Sequence, residues 1–529
     1  MEKRANFVAG VVLSALMLLV PVFSYAQNWT VIDPNSPVNS TIDLVYSDQA
    51  MSLVQFRLNA YSITPVNTGN GTAYVVEAPD CTPILESGAP DLPKYTQSII
   101  IPDQGGSSLQ ITSSAYIELN NIDIAPSKGN LTRDIDPASV PYMYGKLYSV
   151  DGFFPVNSGM LKEPYILRDF RGQTLVLHPF QYNPVTKTLR IYTEIKAMIS
   201  YNNNSGINEL TRIKSPEIND DFGHIYARHF LNYESAKTKY TALSEGAPGN
   251  MLIICYDNYL SAMQPFVDWK RRKGIETEIV GVSTVGTTSS AIKTYVANYY
   301  NTNGLVYLLI VGDDPQVTSS STSAGDSDVD YGYIAGSDHY AEIFVGRFSA
   351  QTIAEVQTQV SRTIEYEKTP VIGDWWTNAI GIGSDQGPGD DNEMDYEHIR
   401  NIMTDLLGFT YSNDFEFYDG SQGGNDASGN PTPSMVGTAV NGGASTIFYC
   451  GHGSDDQFVT SGFSSTDVNN LTNNNKYPFI ISVACVNGNF QNITCFAEAW
   501  LRATDNGEPT GAIAFLGSTI NQSWNPPME

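Results

Sequence analysis

Along residues 27–239, apolar positions fall in short β-branched and aromatic stretches separated by turn-forming residues, which predicts a β-rich region. Val150-Asp151-Gly152 and Asn183-Pro184-Val185-Thr186-Lys187 are turn signals, because Gly, Asn and Pro supply or pre-set turn dihedrals. The second lies between 174–181 and 188–195, two partly alternating stretches, and predicts a hairpin there. From Gly249 onward the pattern changes. A short apolar run at 251–254 leads into a helical stretch at 259–273 that Gly274 ends, then a strand at 278–282, a helix at 291–301 and a near-continuous apolar strand at 306–311. Strands at 379–383, 415–418, 446–449, 479–483 and 512–516 and helices at 394–407 and 496–503 continue the alternation. Apolar strands alternating with helices predict a mostly parallel sheet with helices on both faces, an α/β fold. Such sheets bind ligands beyond the carboxyl ends of their strands, so that is where chemistry is expected.

The first residues read differently. Lys3 and Arg4 precede an apolar run over 7–23, and Ser24-Tyr25-Ala26 closes it with small residues around a cleavage point. That is the form of a secretory signal peptide, residues 1–26, cut after Ala26; Pro21 and the short run argue against a membrane anchor. No later stretch is apolar enough to span a bilayer, which predicts a mature protein outside the cytoplasm, secreted or at the surface of a bacterium. The charge fits: a net −27 disfavours nucleic acid and anionic membrane as partners, since both need a basic surface. Charged residues are only 16 % against a typical ~25 %, while 41 % are hydrophobic, so the chain is globular with a polar, sparsely charged surface. Five cysteines in 529 residues do not make a disulfide framework.

Two predicted strand ends carry candidate chemistry. Residues 446–449 run into Cys450-Gly451-His452-Gly453-Ser454, and 479–483 run into Ala484-Cys485-Val486-Asn487-Gly488. Each places a reactive side chain just past a buried strand, beside glycines that admit a substrate backbone. A thiol becomes a strong nucleophile once ionised, and an adjacent imidazole can take its proton and later protonate the leaving amine. His178, His224, His229, His339 and His398 lack such a setting. Cys81, Cys255 and Cys495 read as core residues, and the spacing of five between His224 and His229 suits no zinc site on one helix face.

These strand ends also carry a resemblance. C-G-H-G-S (450–454), V-A-C-V-N-G-N-F (483–490), C-F-A-E-A (495–499), S-T-I-N-Q-S-W-N-P-P-M (518–528), F-V-D-W-K-R-R-K-G (266–274), L-L-I-V-G-D (308–313) and D-H-Y-A-E-I-F-V-G-R-F (338–348) resemble the gingipain family of secreted cysteine proteases. L-R-D-F-R-G-Q-T (167–174) and F-Q-Y-N-P-V-T-K-T-L-R-I-Y-T (180–193) resemble that family's pro-domain. The resemblance implies a caspase-like fold over 240–529, incomplete at its C-terminal end, preceded by a β-rich pro-domain over 27–239. It implies an endopeptidase cleaving after basic residues, its own pro-domain as inhibitor, protein or peptide substrates, and bound calcium. Cys485 matches the nucleophile and His452 the base and acid, with the N–H groups of Gly453 and Cys485 as the oxyanion hole. The family's third member is an acid orienting the histidine; the closest alignment puts Gln386 there, and Asp385, the only nearby carboxylate, is assigned the role. Asp395 matches the acid of the arginine pocket, lined by Trp524 and Met528, although an acid at a helix start also serves the dipole, as Glu393 would. Cys450 stands where the family usually has Thr, which leaves Arg-versus-Lys preference open. Asp313, Asp338, Tyr340 and Glu342 match a calcium site with Ala335, and Asp390-Asp391-Asn392 suggests another ion.

Three functions compete: an Arg- or Lys-specific endopeptidase zymogen, a sortase-like or signal-cleaving relative, and a non-catalytic surface or adhesion module. The intact Cys485 and His452 favour the first. Latency is expected from a basic pro-domain side chain in the pocket, with Arg133 and Lys146 as candidates. Activation is expected near Lys239–Tyr240 in a polar stretch, or at Arg228 upstream.

Overall fold

The computed structural model describes residues 29–211, 218–237, 249–322, 325–387 and 393–525. The expected signal peptide, the junction at Lys239–Tyr240, Asp390–Asn392 and Met528 lie outside the described residues. No described helix is long and apolar enough to cross a membrane.

The N-terminal region is built of antiparallel strands, as the turn-rich pattern predicts. Its spine is Thr188–Asn202, which pairs with Gly106–Asn120 on one side and with Met51–Arg57 and Phe180–Asn183 on the other. Period-two alternation puts Leu189, Ile191, Ile195, Ala197 and Ile199 inward, against Val54, Phe56, Leu175 and Phe180. The turn at 183–187 forms as expected: the Asn183 side chain accepts from the N–H groups of Val185 and Thr186, and Lys187 takes φ +52°. The strand before it does not. Instead of one strand over 174–181, Phe170–Leu177 joins a second sheet against Pro93–Ile100, and only Phe180–Asn183 enters the hairpin. The change of sheet falls at His178-Pro179, where proline has no N–H for a ladder.

The C-terminal region has the predicted strand–helix alternation, in two parallel sheets rather than one. In the first, β1 (Met251–Cys255) is flanked by β2 (Thr277–Gly281) and β3 (Tyr307–Val311), and β3 by β4 (Phe344–Phe348). In the second, β5 (Asn378–Gly383), β6 (Asn413–Tyr418), β7 (Thr446–Cys450), β8 (Phe479–Val483) and β9 (Ala514–Leu516) lie in the order β6-β5-β7-β8-β9, all parallel. The predicted helices form as α1 (Leu260–Arg272), α2 (Ser289–Asn303), α4 (Asp395–Phe409) and α6 (Phe496–Arg502). Two helices escaped the sequence reading: α3 (Ile353–Lys368), which opens with a Thr352–Glu355 capping box, and α5 (Pro433–Gly442), capped by Thr432 with proline in its first turn. α3 ties the two halves together. Buried Arg362 donates to the carbonyls of Leu501, Ala503 and Ala512, groups at the end of α6 and before β9.

The N-terminal region docks on this α/β body through a second buried arginine. Arg168, at φ +47°, donates to the carbonyls of Leu305, Glu342 and Gly304 and stacks over the Phe222 ring. Removing it leaves three acceptors facing a desolvated gap, each costing ~1–3 kcal/mol. Arg168→Ala is therefore expected to lower the unfolding free energy of the full chain by at least ~2 kcal/mol. Chemical denaturation checks this, and a midpoint within error of the parent's would show that the contact carries no net stability.

Candidate active site

β7 and β8 are neighbours in register, with Cys450 opposite Val483, and β5 lies on the other side with Gly383 opposite Cys450. Three chain segments therefore leave the sheet side by side at its carboxyl edge: Ser384–Gly387, Gly451–Ser454 and Ala484–Gly488. The apolar runs bury the strands and so bring His452 and Cys485 to the same edge.

Several contacts hold these loops. A Cβ on Gly453 would lie 2.3 Å from the Cys485 carbonyl oxygen, so only glycine lets the two loops approach this closely. Buried Asn487 accepts from Ser482 and donates to the carbonyls of Ser454 and Gln457, fastening the nucleophile loop to the histidine loop. The Tyr449 hydroxyl and the Val459 N–H both bond the His452 carbonyl. Val486, directly after Cys485, is held at φ +49°, a costly conformation for a β-branched residue that turns the chain sharply there. Its N–H donates to the Ile520 carbonyl.

His452 is oriented by a residue other than the one assigned. Its Nε2 lies 2.6 Å from Oε1 of Gln386, the neighbour of the assigned Asp385. Ser384 is buried, its Oγ donating to Asp395 at 2.6 Å, whereas Asp385 and Gln386 are both exposed and it is Gln386 whose side chain reaches the imidazole.

Beside this lies a filled pocket. Asp395 opens α4 and is 1 % exposed. Arg133 of the N-terminal region, fully buried, reaches it with Nη1 at 3.0 Å from both carboxylate oxygens and Nη2 at 3.1 Å from one. The same Nη2 lies 3.1 Å from Sγ of Cys450, whose thiol donates to Asp395. Burial, and then the Asp395 charge, hold the Cys450 thiol far above its ordinary pKa, so it is neutral. The indole of Trp524 covers the guanidinium, 4.6 Å away. Of the two basic candidates, Arg133 occupies the pocket; Lys146 sits in a separate 3₁₀ turn, Lys146–Ser149.

The backbone around Arg133 is held by Gln522 and Trp524. Its N–H donates to the Gln522 carbonyl, Trp524 N–H donates to the Leu131 carbonyl, and the Trp524 indole N–H donates to the Ile135 carbonyl. Yet the segment is not extended. Ile135 N–H bonds the Thr132 carbonyl, so Arg133 and Asp134 form the centre of a β-turn. Beneath it Cys485 is 4 % exposed. Burial pushes its thiol up and Asp134 adds to this, against the opposing pull of a Gln522 hydrogen bond and Arg133.

The expected five-residue calcium site is not assembled as a unit. Asp313 is taken by Arg502 (3.1 Å) and Gln351 (2.7 Å), because the end of β3 faces α6, where Glu498 pairs with the same arginine. Asp338 and Glu342 stay together. The N–H groups of Ile334 and Ala335 donate to one oxygen of Glu342 and that of Tyr340 to Asp338. Among the described residues, no three His, Cys, Asp or Glu side chains gather at metal-binding spacing. Cys81, Cys255 and Cys495 are buried, unpaired core residues, as read.

A family model described as peptidase family C25 matches residues 244–528, and the model of its propeptide, Propeptide_C25, matches residues 32–240. This chain belongs to peptidase family C25. The C25 chain is 40 % identical over 498 residues to gingipain R2 of Porphyromonas gingivalis (strain ATCC BAA-308 / W83), covering 93 % of this chain and 66 % of that protein. It is 25 % identical over 529 residues to Lys-gingipain HG66 of the same species, covering 96 % and 29 %. It thus spans less than two thirds of the length of these relatives. A structure titled as the complex of Porphyromonas gingivalis RgpB pro- and mature domains superposes with TM-score 0.50 at 40 % identity, over 53 % of this chain and 66 % of that one. The crystal structure of the Arg-specific cysteine proteinase gingipain R (RGPB) gives 0.51 at 39 %, over 55 % and 67 %. The α/β fold is therefore caspase-like, with the β-rich pro-domain ahead of it.

Sequence reasoning did not find Ser384, Asn487 and Gln522 in this C25 site. Nothing marks a buried Asn or a backbone carbonyl acceptor in one sequence, although Val-Asn-Gly after the cysteine signals a tight turn. The Arg133–Asp395 pair makes a direct test. Asp395→Asn alone leaves a buried guanidinium facing an amide and is expected to cost ~3–5 kcal/mol of full-chain stability. The Arg133→Met, Asp395→Asn double variant should recover part of that loss; additive losses in denaturant titrations would mean the pair is not coupled.

Proposed function

We propose that this chain is the zymogen of a secreted cysteine endopeptidase that cleaves after arginine. The single observation carrying the reading is Arg133, seated on Asp395 and Cys450 beneath Trp524 and next to Cys485. A guanidinium offers two nitrogens to two acceptors here, whereas an ammonium is a point donor; that geometry favours Arg over Lys. The 39 % identical structure, described as the Arg-specific cysteine proteinase gingipain R, supports the same preference.

The chemistry follows from the groups at the sheet edge. With a substrate arginine in place of Arg133, His452 takes the Cys485 proton and Sγ attacks the arginyl carbonyl carbon. The carbonyl becomes an oxyanion facing the N–H groups of Gly453 and Cys485, donors worth ~3 kcal/mol each. Collapse breaks the C–N bond, and the imidazolium gives its proton to the departing amine. Water, deprotonated by His452, then attacks the thioester, releases the carboxylate product and returns the proton to Sγ.

Latency follows from the same contacts. The turn at Thr132–Ile135 occupies the pocket, and Asp134 beside Cys485 disfavours the thiolate. Release requires a cut between the two domains. Arg228 suits this poorly, since it lies in the last turn of the helix Asp220–His229, whereas proteases engage extended chain; a cut near Lys239–Tyr240 remains our proposal. Two variants test the whole reading on Arg- and Lys-terminated chromogenic peptides. Arg133→Ala is expected to turn over Arg peptides without processing, and Cys485→Ala to lose at least ~10⁴-fold even after pro-domain removal. Retained turnover in the cysteine variant, or preference for Lys, would sink it.

We also propose one structural calcium ion at Asp338 and Glu342, with the carbonyls of Ala335 and Tyr340. The donors fit a hard cation: Oε1 of fully buried Glu342 has no hydrogen-bond partner, and burial with the Asp338 charge pushes its carboxyl up to about 7. Calcium at a hundred times its Kd is expected to stabilise the fold by ~2.7 kcal/mol, seen as a raised Tm. Glu342→Gln should abolish the increment, and a Tm indifferent to chelation would remove calcium from the account.

A further inference from the structure

We propose that Gln386 is a positioning residue, a neutral amide that sets the His452 imidazole and ties it to the floor of the arginine pocket. The inference rests on the protease reading above and goes beyond it, because it concerns how one loop couples substrate recognition to the base. The contact is direct, with Nε2 of His452 and Oε1 of Gln386 2.6 Å apart. Since an amide oxygen only accepts, this contact places the proton on Nε2 and leaves Nδ1 as the basic nitrogen.

Gln386 is in turn held by the pocket. Its carbonyl accepts from the Asp395 N–H at 2.8 Å, and its own N–H lies 3.3 Å from Oγ of Ser384. That hydroxyl donates to the Asp395 carboxylate at 2.6 Å. Ser384, Gln386 and Asp395 thus form a closed circuit in which the acid that grips guanidinium also fixes the backbone presenting the amide. Gly387 completes the loop: at φ +142°, a Cβ there would lie 2.8 Å from the Glu393 carbonyl oxygen. A substrate that pulls on Asp395 is felt at His452 through this circuit, whereas one that leaves the pocket empty is not.

The charge consequence is distinct from that of a carboxylate. An amide orients an imidazole but adds no stabilisation to the imidazolium formed when Cys485 gives up its proton. The groups near His452 are the Trp524 indole, with ring centroids 6.3 Å apart, exposed Asp385 beside Gln386, and exposed Asp455 and Asp456 on its own loop, while Arg133 and Asp134 face Cys485 on the neighbouring loop. None of the carboxylates replaces Gln386 at Nε2.

The experiment has a kinetic and a spectroscopic arm. In the activated enzyme on an Arg peptide, Gln386→Leu is expected to lower kcat at least tenfold with KM within twofold. Gln386→Glu should retain kcat and move the alkaline limb of the kcat/KM profile to higher pH, because an opposite charge favours imidazolium. Asp385→Asn should cost less than Gln386→Leu. Coincident pH profiles for the Glu variant and the parent, or a larger loss at Asp385, overturn the proposal. In the latent Cys485→Ala full chain, histidine-ring NMR should show a hydrogen-bonded Nε2–H that Gln386→Leu removes. Its persistence in the variant also overturns the proposal, and this arm gives its answer even if no peptide is cleaved and the protease reading falls.

Discussion

The buried pair between Arg133 and Asp395 is the contact around which the latent form is arranged. Two opposite charges removed from water cost several kcal/mol each before they attract one another, and the attraction compensates only where geometry and further hydrogen bonds are good. Here they are. The guanidinium makes three short contacts with the carboxylate and one with Cys450, and the Trp524 ring covers it; the carboxylate also receives Ser384. Only Nε of the arginine is left without a partner. The proposed arginine preference rests on how fully this pocket satisfies a guanidinium.

That pocket exists because of a register. Parallel pairing of β5, β7 and β8 brings three loops to one sheet edge, each short and each with a glycine or a turn at the point of closest approach. The imidazole, the thiol and the pocket acid come from three separate stretches, near residues 386–395, 452 and 485. None is positioned by its own local structure, and all depend on strands whose side chains are almost wholly apolar. Asn487 then links the histidine and cysteine loops directly, so the site is held across the strand ends as well as beneath them.

Much of this was legible from the chain itself. Apolar runs such as 446–449 and 479–483, each followed by glycine and a reactive side chain, fix both a buried parallel strand and what stands at its end. Asp395 and Trp524 were found by resemblance, and Arg133 by asking which basic side chain could fill an acidic pocket. The misses share a cause. Asp385 was preferred to Gln386 because a carboxylate is the better chemical partner for imidazole, yet both side chains are exposed on the loop after β5, and which one reaches His452 is set by the path of that loop, which one sequence does not state. Asp313 was grouped with Asp338 and Glu342, although its partner Arg502 lies 189 residues away at the end of α6. The hairpin expected at 174–181 broke at Pro179, where tertiary pairing with Pro93–Ile100 took half the strand.

On the proposed zymogen reading, the arrangement also accounts for severing of the chain as the switch. While the pro-domain is covalently joined to the protease domain, Arg133 competes with substrate at an effective concentration of roughly millimolar order, whatever its intrinsic affinity. Bound substrate must then displace an ion pair, a backbone clamp at Gln522 and Trp524, and a turn that is already ordered. After a cut, the same contacts hold a separate molecule, and dilution lowers its occupancy without any change in the pocket. The remaining hold is then the docking surface around Arg168, remote from Cys485 and carried by backbone carbonyls of the protease domain. Latency, as proposed, is divided between a pocket contact that an arginine substrate would replace and a docking contact that it would not. On that reading a cut lets both contacts be lost by dissociation, loss of the pocket contact alone also exposes the site, and the pocket itself need not reshape.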